Sequence, residues 1–247
     1  MVGAYYILFM KPVEVINVSK RFGNMLALDR VNITFNKGVY GLIGPNGSGK
    51  TTLIRIMLGL QKPSSGKVLI FGKDPFYSHG EVCPQIGYLR EKCSFPKWAT
   101  GVEYLRHVAR LKQVDLDPDI IHHPIVKGDF LQRKIGTYSA GMVQRLGLLQ
   151  ALVGNPSLII LDEPSTNLDP LGRVEMVQLV QEINRDNRTV IISSHILEEL
   201  QQICDFIIVI YRGKIIVQDT LEGFVTNFSP DGTAVGAYSK IMERISA

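Results

Sequence analysis

The sequence predicts an α/β fold with a mainly parallel central sheet, an antiparallel β subdomain and a small inserted helical subdomain. Short β-branched segments of strand length recur along the chain and alternate with segments of helical periodicity, a pattern typical of parallel sheets. The segments at 158–161 and 189–193 are apolar almost throughout, as expected for parallel strands buried on both faces. The first strands of the chain are expected to pair in antiparallel fashion.

Turn residues and capping patterns predict where the elements begin and end. Thr100 with Glu103 forms a capping box, which predicts a helix extending to Val114. Thr220 is expected to cap a short helix, and Gly213 to lie in the turn of a β-hairpin. Strands are predicted at 13–18, 31–35, 39–43, 67–71, 158–161, 189–193 and 206–211, and further helices at 51–60, 141–153, 171–183 and 238–245.

The length of 247 residues is sufficient for one large α/β core with a small insert. We therefore expect a single domain over residues 1–247. Its core comprises about 11–90 and 138–219, the helical subdomain covers about 91–137, and 220–247 form a C-terminal helical extension.

Composition favours a cytosolic protein. A net charge of +4 without a dense basic run argues against nucleic acid as a partner. The odd number of widely spaced cysteines indicates reduced thiols and no disulfide or zinc framework. No stretch approaches the roughly 18 apolar residues that span a bilayer. Residues 5–10 are too short for a signal peptide, and Met10 is an alternative start.

A glycine-rich loop between a predicted strand and a predicted helix indicates a phosphate-binding site. Glycines allow successive backbone N–H groups to point at phosphate oxygens, and the helix N-terminus adds partial positive charge. Lys50 can reach the β- and γ-phosphates, and the Thr51 hydroxyl can ligate Mg²⁺. The strand and helix context argues against an ordinary glycine turn and favours a P-loop NTPase fold. The motif G-x-x-x-x-G-K-[ST] and the residue after it comprise Gly44, Pro45, Asn46, Gly47, Ser48, Gly49, Lys50, Thr51 and Thr52.

Two carboxylates follow the apolar strand at 158–161, at the end of the strand where ligands bind in parallel sheets. Asp162 is placed to hold Mg²⁺ through water, and Glu163 to polarise the attacking water as a general base. A surface turn with two solvated acids is the alternative. His195 ends another strand and can hydrogen-bond the γ-phosphate or the water, although such a histidine is often only a satisfied polar residue.

These motifs and their order resemble those of the ABC ATPase family. The run 138–142, Tyr-Ser-Ala-Gly-Met, stands in the place of the family's LSGGQ-like signature. The run 166–169, Thr-Asn-Leu-Asp, resembles the family's D-loop, and His195 occupies the place of its switch histidine. The resemblance extends from about residue 13 to residue 219.

The resemblance implies a head-to-tail dimer, either a homodimer or a heterodimer with a second nucleotide-binding subunit. In it the signature of one chain closes over the ATP bound by the other. Ser139, Ala140, Gly141 and Met142 would then contact the partner's nucleotide, and Asp169 would belong to the D-loop. An anion site at the start of a second predicted helix is consistent with that role. Phe22 resembles the family's aromatic residue that stacks on adenine, and a core aromatic at a strand end is its alternative.

Two departures from the family pattern carry expectations of their own. Glu91 stands where the family usually has Gln between the core and the helical subdomain, and its carboxylate is expected to meet Mg²⁺ or a water. Ala140 replaces a glycine of the signature and restricts the backbone there. The run Tyr-Ser-x-Gly-Met is similar to that of export-type subunits, which favours export.

The leading interpretation is an ATP-binding and ATP-hydrolysing subunit that powers transport by a separate membrane permease. It would lie in the cytoplasm, peripheral on the inner face of the cell membrane. The alternative is a soluble ABC ATPase acting in translation, DNA repair or iron–sulfur assembly; a sensor that does not hydrolyse ATP is a third reading. Trp98 and Phe95 of the insert offer a docking surface for the permease, but simple packing is the expectation we favour.

Overall fold

A computed structural model describes residues 11–185 and 188–246. Residues 5–10, with the alternative start at Met10, lie outside the described part. The described chain divides into two compact units. The first unit contains the residues up to Val82 and those from Ser193 onward, and the second unit contains Cys83–Ile192.

The strands occur at or near all of the predicted positions, with two additional strands at 86–89 and 214–220. The parallel pairs and the antiparallel sheet described below confirm the predicted α/β fold class. In chain order the strands are β1 (Val13–Phe22), β2 (Met25–Phe35), β3 (Gly38–Ile43), β4 (Ser65–Ile70), β5 (Ile86–Leu89), β6 (Leu158–Asp162), β7 (Thr189–Ser193), β8 (Phe206–Tyr211) and β9 (Lys214–Thr220).

The helices also follow the prediction, with the addition of short ones near residues 79, 118 and 197. They are α1 (Lys50–Met57), α2 (His79–Val82), α3 (Gly101–Leu111), α4 (Pro118–Ile121), α5 (Ala140–Leu152), α6 (Pro170–Arg185), α7 (Leu197–Ile203), α8 (Leu221–Phe228) and α9 (Ala234–Ser246), with 3₁₀ turns at Cys83–Gln85, Phe130–Gln132 and Ile135–Thr137.

The first unit contains an antiparallel sheet with strand order β2-β1-β4, as expected for the first strands of the chain. It also contains β3 paired in parallel with β8, and β8 paired with β9 through the predicted hairpin. The residues of β8 from Ile207 to Ile210 are completely buried, which accounts for their uninterrupted apolar character.

The second unit contains β5 paired in parallel with β6, and β7 neighbours β6 on its other side. Every residue of β6 and β7 is buried. Strand β5 escaped prediction because it has only four residues, one of which is Gly87. A Cβ atom at Gly87 would lie 2.0 Å from the carbonyl oxygen of Ala151 in α5, so only glycine permits this close packing.

Helix α3 begins as the capping box predicts. The Glu103 N–H donates to the Thr100 hydroxyl oxygen over 3.2 Å, and the Thr100 N–H donates to the Glu103 carboxylate over 2.8 Å. The helix ends at Leu111 and does not reach Val114, because Gln113 adopts a left-handed conformation with φ +57°. In the described ranges, no helix is both long and apolar enough to cross a membrane.

The capping box allows a test of the second unit's stability. Replacing Thr100→Ala removes the acceptor for the Glu103 N–H, and we expect a loss of about 1 kcal/mol in the free energy of unfolding. The melting temperature should then fall by roughly 2–4 °C, measured by calorimetry. Thr226→Ala, at an exposed position within α8, is the matched control and should change stability by at most about 0.5 kcal/mol. Equal melting temperatures for the two variants would contradict the capping role.

Candidate nucleotide-binding site

The loop between β3 and α1 lies directly against the neighbouring backbone of the first unit. A Cβ atom at Gly44 would lie 2.1 Å from the carbonyl oxygen of Ile210. Gly49 has φ +114°, and its Cβ would lie 2.8 Å from the carbonyl oxygen of Ala27. Both positions therefore exclude any side chain, and the main chain itself forms the wall of the loop.

The loop holds a cationic side chain against its own backbone. The Lys50 side chain is folded back, and its Nζ donates to the carbonyl oxygens of Gly44 over 2.6 Å and of Pro45 over 3.3 Å. Gly49 is the N-cap residue of α1, and because it has no side chain, no side-chain oxygen accepts from the N–H groups of the first turn. This arrangement is suited to binding an anion such as a phosphate.

The remaining loop residues support the same interpretation. The Ser48 hydroxyl is buried, and Oγ makes no hydrogen bond to any described residue, which leaves it available to a ligand. Thr51 and Thr52 lie half-buried in the first turn of α1. The tip of the loop is exposed to solvent and consists of Pro45, Asn46 and Gly47.

Phe22 is not a core residue. It ends β1 at the tip of a hairpin where it pairs with Met25, and 42% of its surface is exposed. The Lys20 Nζ lies 5.2 Å from the centroid of its ring. An exposed ring at this hairpin tip is suited to stacking against a flat ligand, so the core alternative for Phe22 is wrong.

In the second unit, β6 delivers the two predicted carboxylates. Asp162 is the last residue of β6 and is only 4% exposed. Glu163 is half-buried and has φ +52°, a left-handed conformation that is unusual for a residue with a side chain. The Thr166 N–H donates to the Glu163 carbonyl over 3.1 Å and closes a tight turn.

The turn after Glu163 has a second support that sequence reasoning missed. Gln144 of α5 is buried, and its Nε2 donates to the carbonyl oxygen of Pro164 over 2.9 Å. The two residues are separated by 20 positions in the chain. No local sequence pattern links the two residues, so this hydrogen bond could not be predicted from the sequence.

The predicted signature begins α5. Ser139 is the N-cap, and its Oγ accepts a hydrogen bond from the Met142 N–H over 3.3 Å. Ala140 is the first residue of the helix and does not have a positive φ, so alanine is accommodated without strain. A Cβ at Gly141 would meet nothing closer than the Asn167 carbonyl oxygen, 3.9 Å away. The side of the helix at Gly141 is therefore open.

The other predicted residues have local roles or exposed positions. The Asp169 Oδ1 accepts from the Gly172 N–H over 2.9 Å at the start of α6. His195 is exposed directly after β7, and Glu91 is exposed after β5. Tyr138 replaces the usual leucine and is held by its hydroxyl, which donates to the Phe130 carbonyl over 2.7 Å. Burial raises the pKa of the Tyr138 hydroxyl, which keeps it protonated as a donor.

The structure therefore groups the predicted site residues by unit. The phosphate loop, Phe22 and His195 belong to the first unit. The second unit holds the acids Asp162 and Glu163, together with Glu91, Asp169 and the signature residues 139–142.

Comparison with known proteins agrees with the motifs. The profile of the ABC transporter family matches residues 28–166. The bacitracin transport ATP-binding protein of Bacillus licheniformis is 38% identical over 208 residues, which cover 83% of this chain and 68% of that protein. The chain spans about 61% to 70% of the length of the first four curated relatives it matches.

Solved structures have the same fold. The ATP-binding subunit of an ABC transporter superposes with a TM-score of 0.83 at 25% identity, over 93% of this chain and 99% of that one. A dimeric bacterial ABC transporter cassette superposes with a TM-score of 0.77 at 23% identity, over 85% and 99% of the two chains. The predicted fold class is confirmed. Together with the profile match over more than half of its length, these likenesses establish that the chain belongs to the ABC transporter family.

Proposed function

We propose that this chain is the ATP-binding and ATP-hydrolysing subunit of a membrane transporter and works as a pair of cassettes beside a separate permease. One observation carries the proposal: the chain has two separate helix N-termini suited to anions. The first, at Lys50, has its own lysine and glycine loop. The second, at Ser139, has an open side at Gly141. A second anion site is explained if it serves the nucleotide of another copy.

The phosphate loop would bind the nucleotide. The Lys50 ammonium can exchange its carbonyl partners for β- and γ-phosphate oxygens, and the Ser48 hydroxyl supplies a further buried donor. The backbone N–H groups of Gly47 and of residues 49–52 would donate to the same phosphates. The exposed ring of Phe22 would stack on adenine.

The side chains offer oxygen donors of the kind Mg²⁺ prefers. We propose the Thr51 hydroxyl and the Asp162 carboxylate as ligands, with Glu91 as a further carboxylate donor. The position of Asp162 fits this role, because it is the last residue of β6 and ligands bind at the carboxyl ends of parallel strands. A bound Mg²⁺ would neutralise charge on the phosphates.

Glu163 is proposed as the general base that polarises the attacking water, and His195 as a donor to the γ-phosphate. Glu163 follows the buried end of β6, which holds its main chain in place. Its left-handed conformation points to a position selected for function at the expense of local stability.

In the pair, Ser139, Ala140, Gly141 and Met142 would approach the γ-phosphate held by the other copy, with Asp169 nearby. The dimeric state described for a cassette of the same fold supports the pairing of two cassettes. We also propose that the whole chain forms one cassette, with a helical subdomain at about 91–137 and a C-terminal extension at 220–247.

The permease would dock on the helical insert from the cytoplasmic side. The expectation that Trp98 packs inside the insert is wrong, because 77% of its surface is exposed, whereas Phe95 packs against Tyr104. An exposed tryptophan is a frequent anchor of protein interfaces. The transport role named for the bacitracin relative supports a permease partner, and the signature sequence favours export. No observation favours a soluble role in translation or cofactor assembly.

The role of Glu163 is tested by Glu163→Gln. Because the amide cannot accept a proton, we expect hydrolysis to fall by about 10²-fold or more while ATP binding persists. ATP should then convert monomer to dimer on size exclusion. Glu222→Gln, the same change at an exposed position in α8, should leave the rate unchanged. A Glu163→Gln protein that hydrolyses ATP at the parent rate would refute the assigned base.

The in-trans role of Ser139 is tested by Ser139→Ala. We expect hydrolysis to fall about tenfold or more, with the ATP affinity of the isolated monomer nearly intact. The monomer would bind its nucleotide through its own phosphate loop and not through Ser139. Thr220→Ala is the matched control, since Thr220 caps α8 with the same kind of hydrogen bond over 3.0 Å. The control should show a similar loss of stability and no loss of hydrolysis. A large loss of monomer affinity in Ser139→Ala would count against the proposal.

The docking role of Trp98 is tested by Trp98→Ala. Removing an interface anchor costs about 2 kcal/mol or more, so the fraction of the subunit that sediments with cell membranes should fall strongly. The ATPase rate of the purified subunit should not change. Leu111→Ala, which alters another exposed apolar residue of the insert, is the control and should remain with the membranes. If both variants sediment like the parent, Trp98 does not contact the permease.

A further inference from the structure

We infer that Gln144 is the positioning residue of the catalytic carboxylate, because its side-chain amide holds the turn that presents Glu163. The inference rests on the proposed function, in which Glu163 is the general base. Its geometric basis is the hydrogen bond from Gln144 Nε2 to the Pro164 carbonyl, 2.9 Å long.

The bond is fully enclosed by protein. Gln144 is 2% exposed, and Pro164 is buried as well. A carbonyl oxygen in such surroundings needs a donor, and leaving it without one costs about 1–3 kcal/mol. Gln144 supplies that donor from α5, the helix that begins at the signature residue Ser139. The turn is therefore stabilised from outside its own sequence.

The conformation of Glu163 needs such support. Its φ of +52° lies in the left-handed region, which disfavours residues with a side chain. The following Pro164 makes the left-handed conformation of Glu163 less favourable still, because a residue before proline favours an extended backbone with φ of about −120°. A strained residue persists only when its surroundings determine its conformation. Within the turn, the Thr166 N–H donates to the Glu163 carbonyl over 3.1 Å.

Loss of the Gln144 donor would therefore release the turn. The Pro164 carbonyl would rotate toward another partner, and Glu163 would relax toward an ordinary φ value. Its carboxylate would then move relative to the water that it polarises. A displacement of about 1 Å at a catalytic group can reduce a rate about 10²-fold without changing substrate binding.

Arg145, the residue after Gln144 on α5, attaches this helix to α6. Arg145 donates to the Glu175 carboxylate of α6 over 2.9 Å, and Lys127 also pairs with Glu175. Helix α5 is thus joined both to the turn after β6 and to α6. In the proposed dimer α5 also contacts the partner's nucleotide, so Gln144 would link that contact to Glu163 of its own chain.

The direct test is Gln144→Met, which keeps the length of the side chain and removes the donor. We expect kcat to fall about ten- to a hundredfold, while KM and ATP affinity change by less than about twofold. Gln150→Met is the matched control on the same helix, because Gln150 Nε2 donates to the Tyr88 carbonyl over 3.4 Å. That control should lose stability without a comparable loss of kcat. Equal values of kcat in the two variants would overturn the inference.

A pH profile separates positioning from packing. In Gln144→Glu the ionised carboxylate cannot donate to the Pro164 carbonyl, whereas the protonated carboxyl can. Burial raises the pKa of the new carboxyl above its ordinary value, so protonation restores the donor as pH falls. The rate of Gln144→Glu relative to the parent should increase from pH 8 to about pH 6, and that of Gln144→Met should stay constant. A constant ratio for both variants would contradict the hydrogen-bond role.

A double variant separates this inference from the proposed function. If Gln144 acts through Glu163, adding Gln144→Met to Glu163→Gln should reduce the residual rate by less than about twofold. A parent-like rate in Glu163→Gln alone would overturn the assigned base and the inference with it. A stalled Glu163→Gln beside a parent-like Gln144→Met would overturn only the positioning role. A full additional loss in the double variant would show that Gln144 acts elsewhere.

Discussion

Close backbone packing around the phosphate loop is the constraint on which the first unit depends. A Cβ at Gly44 or Gly49 would lie within 2.8 Å of a neighbouring carbonyl oxygen, and one at Gly213 would lie 2.7 Å from the Ala27 carbonyl. The Gly213 N–H donates to the Ser48 carbonyl over 2.8 Å, so the β8–β9 turn supports the loop from behind. Main chain packed on main chain therefore fixes the conformation of the loop.

The second unit combines a stable strand with a strained turn. Strand β6 is buried along its whole length, and directly after it Glu163 adopts a left-handed conformation. The cost of that conformation is offset by bonds to the turn, one of them from Gln144. Strain supported by a rigid framework is common at functional sites, since the framework can present a side chain in a geometry that it would not adopt alone.

The departures from the family signature have structural explanations. Ala140 begins α5 in an ordinary helical conformation, so a glycine's freedom is not required there. Tyr138 packs edge-on against Phe130, with ring centroids 5.3 Å apart, and its hydroxyl bonds to the Phe130 carbonyl. The tyrosine thus joins the start of α5 to the helical insert of the same unit. Gly141 keeps the glycine of the family signature although its own chain leaves space for a side chain there. The contacts within this chain therefore do not require a glycine at this position.

The motifs and most of the helices and strands could be predicted from the sequence, because their signals are local. The loop from Gly44 to Thr52, the capping box at Thr100 and the apolar strands each depend on neighbours within a few positions. The exposure of Phe22 and Trp98 and the hydrogen bond from Gln144 to Pro164 are apparent only in the folded chain. Burial and contacts between residues far apart in the chain depend on how the elements pack, and no local pattern of residue types records that packing.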